Sequence, residues 1–126
     1  MKVSTKLLIL IFVFFGLDIQ AQLNDDFSDG DFSSNPTWTG MDTNFSVQSE
    51  VLKLDDKART FESYLSTPLQ LIDSTEWNFL VEFGFNPSSS NQAFVYLVSD
   101  SADLSDSLTG YFVRIGGTKD EISLFR

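Results

Sequence analysis

The chain has 126 residues, 18 acidic against 8 basic side chains for a net charge of −10, and neither cysteine nor histidine. Lacking those two residue types, it can build no disulfide framework, thiolate nucleophile, imidazole base or His/Cys zinc site. The acidic balance leaves no basic patch to displace counterions from phosphates, which excludes nucleic acid and anionic membrane surfaces as partners.

From the N-terminus, Lys2 and Lys6 form a basic n-region, "LLILIFVFFGL" (Leu7 to Leu17) is an apolar run of eleven residues, and Ala21 is a small residue at a cleavage position. A bilayer-spanning helix needs about 20 apolar residues. Residues 1–21 therefore read as a signal peptide, with the mature chain starting at Gln22, secreted or at the cell surface and not inserted in the membrane after cleavage. No cysteine follows the apolar run, so a lipid anchor there is excluded. Removing Lys2, Lys6 and Asp18 leaves six basic and seventeen acidic residues, a mature charge of −11 on 105 residues. That length suits one small domain whose core must come from the 13 Phe.

The mature chain opens on "NDDFSDGDFSSNPTW", which holds Asp25, Asp26, Asp29 and Asp31 around a Phe-Ser-Asp-Gly turn. Short acidic turns with glycine can supply the oxygens that calcium requires, although the spacing is not that of an EF-hand. The alternative is a plain polar turn: Phe27 and Phe32 enter the core, and an aspartate caps the backbone. The plain turn is the expected outcome. Trp38 follows between Pro36 and Gly40.

Period-two patterning dominates the rest. "NFSVQSEVLKLDD" predicts a hairpin turning at Gln48 to Glu50. "EWNFLVEFGFNP" predicts a half-buried strand with Trp77, Phe79, Val81, Phe83 and Phe85 on one face, and hence a buried Trp77. "NQAFVYLVSD" is apolar on both faces, as a strand central to a sandwich would be. "GYFVRIGG" and "EISLFR" are two more strands, and "SDGD", "SSNP", "NPSSSN" and "GGTKD" are turns. No stretch has helical spacing over several turns. The expectation is an all-β antiparallel sandwich. The sequence ends inside a strand pattern at Arg126, which predicts a domain incomplete at its C-terminus and a chain that is the N-terminal part of a longer protein.

"DDFSDGDFSSNPTWTG", "NPSSSN", "YLVSD" and "GYFVRIGG" resemble the N-terminal concanavalin A-like (laminin G-like) jelly-roll region of large secreted bacterial surface proteins. Those proteins carry lamin-tail domains downstream and a type IX sorting signal. The resemblance covers nearly all of residues 22–126. It implies a jelly roll, downstream domains of the same protein as neighbours, and an extracellular glycan as ligand. It also raises structural calcium near the first strand.

For a glycan, aromatic rings stack on sugar faces and polar groups hold the hydroxyls. The candidates are Trp38, Tyr96, Tyr111 and Arg114, with Trp38 the ring expected to be exposed. Related jelly rolls include glycoside hydrolases, but their Glu-x-Asp-x-x-Glu strand is absent. Asp120 and Glu121 are adjacent and point to opposite faces, and Glu76 and Glu82 would lie about 20 Å apart on a strand, against about 5 Å in a retaining glycosidase. The expected function is a non-catalytic recognition or adhesion module with no cofactor beyond a calcium ion in the acidic turn. A ligand-free spacer is the alternative, and a glycosidase remnant the third reading. Ser74, Ser101 and Ser107 sit in Asp-Ser-x triplets that resemble the O-glycosylation sequon of the same kind of bacteria.

Overall fold

The computed structural model describes residues 23–56, 62–70 and 75–126. Residues 1–21, expected to be a signal peptide, and Ser74 lie outside them. Within the described residues the chain is β-structured, with a single 3-10 turn at Asp42–Asn44 and no α-helix. The strands are β1 (Thr39–Gly40), β2 (Phe45–Val47), β3 (Leu52–Leu54), β4 (Leu65–Ser66), β5 (Ala93–Ser99), β6 (Gly110–Gly116) and β7 (Glu121–Phe125). They form three antiparallel sheets, β1-β4, β2-β3 and β5-β6-β7. Antiparallel β structure is as the sequence predicts. Among the described residues the sheets do not close into a sandwich.

The hairpin expected at Gln48 to Glu50 is present. Gln48 and Val51 exchange both backbone hydrogen bonds, at 2.9 and 3.2 Å, and Ser49 and Glu50 both have positive φ. That is the mirror-image turn whose twist matches the flanking strands, and β2 and β3 continue in register from it, Val47 opposite Leu52 and Phe45 opposite Leu54.

The three-stranded sheet positions three of the four glycan candidates, Tyr96, Tyr111 and Arg114. Phe94, Tyr96, Phe112, Arg114, Ser123 and Phe125 share one face, by pairings such as Tyr96 opposite Phe112 and Phe112 opposite Phe125. This is an aromatic face: Phe112 lies 5.6 Å from Phe94, 5.1 Å from Tyr96 and 5.3 Å from Phe125, ring centre to ring centre. The opposite face is aliphatic, with Val95 facing Val113, Val113 facing Leu124 and Ile115 facing Ile122. A bulge at Leu97 shifts the register, so that Val98 rather than Leu97 pairs with Tyr111 and joins that aliphatic face.

Apolar residues on both faces need a layer over each. Among the described residues no hydrophobic side chain is fully buried, and Ile122 and Leu124 are 75% and 66% exposed. The Phe-rich core expected from composition is therefore not assembled here: Phe27 and Phe32 are only half-buried. Residues 75–86 correct the sequence reading further. They form no strand. Trp77 is exposed rather than buried, with its indole N–H donating to the Leu97 carbonyl at 3.1 Å. Of the face predicted to be buried, only Val81 and Phe83 are half-buried, whereas Phe79 and Phe85 are 46% and 55% exposed. Alternation sets the two faces of an extended chain, but a ladder also needs a neighbour's N–H and C=O groups, and among the described residues no strand pairs with residues 76–86.

Candidate functional site

The acidic turn is a run of side-chain-capped backbone. Asp25 accepts from Phe27 N–H at 2.9 Å, Asp26 from Ser28 at 3.0 Å, Asp29 from Asp31 at 3.1 Å and Asp31 from Ser33 at 2.6 Å. Each carboxylate thus bonds the amide two residues on, the local geometry that Asp favours in turns. A 3.1 Å bond from Gly30 N–H to the Phe27 carbonyl closes the loop.

Serine hydroxyls add to this. Asp31 also accepts from Ser34 Oγ at 2.6 Å and Ser33 Oγ at 2.8 Å. These donors, Ser34 foremost, hold its carboxyl down at about 2, while Ser28 lowers that of Asp26. The four carboxylates turn toward their own backbone. Among the described residues no three acidic groups gather in a way that could hold a metal ion.

Trp38 departs from expectation. Rather than standing exposed, it is half-buried, and its indole N–H donates to Asp25 Oδ2 at 2.8 Å. The same carboxylate therefore caps the turn with one oxygen and anchors the ring with the other. A bond from Trp38 N–H to the Phe32 carbonyl at 2.8 Å closes the intervening loop.

The other three glycan candidates separate onto two faces of one sheet. Tyr96 is half-buried against Phe112. Arg114, on the same aromatic face, forms a 3.0 Å ion pair with Glu121 and lies 4.7 Å over the Phe125 ring, its Nε buried with no hydrogen-bond partner. Both are engaged within the sheet. Tyr111 stands on the opposite face, 42% exposed.

Tyr111 lines a shallow depression of about 300 Å³ with Val98, Ser99, Asp100, Thr109, Gly110 and Arg126. The Arg126 guanidinium lies 5.6 Å from the Tyr111 ring centre. Asp100 and Thr109 close the β5-β6 loop there: Asp100 N–H donates to the Thr109 carbonyl at 3.0 Å, and Thr109 N–H to Asp100 Oδ1 at 2.7 Å. An aromatic ring beside a carboxylate, a hydroxyl and a guanidinium is the chemical set that sugars use. Sequence reasoning missed Asp100, Thr109 and Arg126. Pairing "YLVSD" with "GYFVRI" as a hairpin would have brought the first two together.

Of the modification candidates within the described residues, Ser101 has its hydroxyl engaged by Asp103, donating to the carbonyl at 3.1 Å and accepting from the amide at 3.2 Å. Ser107 is exposed. No described helix is long and apolar enough to cross a membrane. No protein-family model, no curated protein and no solved structure matches this chain.

Proposed function

We propose that this chain is a secreted, non-catalytic recognition module of the concanavalin A-like jelly-roll class, part of a larger cell-surface protein, and that it binds an extracellular glycan at Tyr111. The resemblance in the sequence supports the class. The observation that carries the ligand is the exposed Tyr111 ring in a depression with Asp100, Thr109 and Arg126. Its volume of about 300 Å³ is at the small end of ligand sites, which suits one sugar ring stacked on the phenol rather than an enclosed molecule. Glycan-array binding followed by Tyr111→Ala tests the reading: binding that disappears in Tyr111→Ala and persists in Trp38→Phe is the expected result. Binding indifferent to Tyr111→Ala would overturn the site.

A ligand-free spacer is the second reading. It is favoured by the prior engagement of two of the polar groups, Asp100 with the Thr109 amide and Arg126 with the Tyr111 ring. An array with no bound glycan supports the spacer.

A further inference from the structure

We infer that Asn44 is the acceptor of an N-linked glycan, attached where the chain turns into β2. Asn35, Asn44 and Asn86 each have Ser or Thr two residues on. Proline stands between the two in "NPT" and "NPS", which disqualifies Asn35 and Asn86 as acceptors. Only "NFS", Asn44-Phe45-Ser46, keeps the Asn-x-Ser pattern with x other than proline. A pattern this short arises by chance, so the surroundings of Asn44 decide.

Asn44 ends the 3-10 turn, after the exposed Asp42 and Thr43. Its backbone is satisfied without the side chain: the N–H donates to the Met41 carbonyl at 3.0 Å, and the carbonyl accepts from Asp55 N–H at 2.8 Å. The side-chain amide is therefore free of any capping duty. Asn44 and Ser46, both half-buried, line one depression of about 240 Å³ together with Thr43, Gln48 and Asp55. The acceptor amide and the hydroxyl two residues on thus border the same open space. Ser46 Oγ accepts from the Gln48 side-chain amide at 3.1 Å, a bond that does not use its own proton.

The fold also tolerates the product. Asn44 Nδ2 donates to Ser63 Oγ at 2.9 Å, and a side-chain amide nitrogen carries two hydrogens. In the transfer, Nδ2 attacks the anomeric carbon of a sugar held on a lipid diphosphate. The C–N bond forms, the C–O bond to the diphosphate breaks with its electron pair leaving on the diphosphate, and the amide gives up one proton to a base. One N–H remains, which is all that the bond to Ser63 requires. The sugar then has the depression beside Asn44 to occupy.

The inference rests on export of the chain, and mass spectrometry of the protein recovered from the medium of the cell that makes it is the test. The peptide containing Asn44 should carry the mass of a sugar. An amidase that hydrolyses the glycosyl amide should remove that mass and leave aspartate at position 44. Ser46→Ala should lose the sugar and Ser46→Thr should keep it, since both leave Asn44 and its bond to Ser63 in place. An unmodified Asn44 in the exported protein would overturn the inference. So would a sugar that the amidase leaves in place, because it would then sit on a hydroxyl. Either result leaves the Tyr111 reading standing, since that depression is lined by other residues.

Discussion

The Tyr64 hydroxyl donates a 2.8 Å hydrogen bond to Asp103, 39 residues further along, and so ties the segment leading into β4 to the loop between β5 and β6. Each partner alters the other. Ser105 first, and Tyr64 second, hold the Asp103 carboxyl below its ordinary 3.8, and the bond to Asp103 pushes the Tyr64 phenol above its ordinary 10.0. The Asp103 contribution is present above its ordinary value and is lost as pH falls through the lowered one. The Tyr64 contribution is present below 10.0 and is lost as pH rises through the raised one.

Tyr64→Phe should therefore move the Asp103 titration part of the way back toward 3.8, because Ser105 remains. Carbon-detected NMR titration of the carboxyl checks this, and an unmoved Asp103 would show that the tie is not made in solution.

Asp25→Ala should loosen the first turn and Trp38 together, since one carboxylate serves both. Bonds to a charged acceptor contribute about 1.5–3 kcal/mol each. The indole N–H of Trp38 should then exchange with solvent by about tenfold or more faster, while Asp25→Asn, which keeps one acceptor oxygen, should fall between. An indole rate identical in all three proteins would remove the anchor from the account.

At the acidic turn, Asp31 should titrate at about 2. Its bonds to Ser33 and Ser34 hold above the ordinary carboxylate range and are lost as pH falls through that value. With every carboxylate satisfied by its own backbone, calcium at ~1 mM, the regime of extracellular modules, should leave the amide resonances of residues 25–31 unmoved. A saturable shift that vanishes in Asp29→Asn/Asp31→Asn would instead establish an ion site.

Gly110→Ala should open the start of β6. A Cβ at that position would run into the Val98 carbonyl and lie 3.1 Å from Ser99 Cα, both backbone groups that the Leu97 bulge brings against β6. Crowding of this kind costs about 1–3 kcal/mol. Faster exchange at Tyr111 and at the Asp100 amide is the expected readout. The same change should weaken any ligand held beside Tyr111.

Protein recovered after export should begin at Gln22, with Ala21 as the last residue removed. N-terminal mass spectrometry reads this directly, and an intact Met1 on exported protein would contradict it.

Local pattern was enough for the parts of this protein that local chemistry governs. The alternation in "AFVYLVS", "GYFVRIG" and "EISLF" determined three strands, the first apolar on both faces, and "VQSEV" determined a hairpin turn, because side-chain period and turn conformation act over a few residues. The acidic run determined a capped turn for the same reason: each aspartate reaches an amide only two positions away. Tertiary structure decided everything that needs a distant partner. It left Trp77 exposed and drew Trp38 inward, because only the fold could supply Asp25 to one indole and the Leu97 carbonyl to the other. It placed Tyr96 and Arg114 on one face of the sheet and Tyr111 on the other, where the β5-β6 loop and Arg126 meet it. It also left the alternating segment 77–86 without a ladder. Alternation specifies which way side chains point, whereas pairing depends on a neighbouring edge and a turn that aims the chain along it.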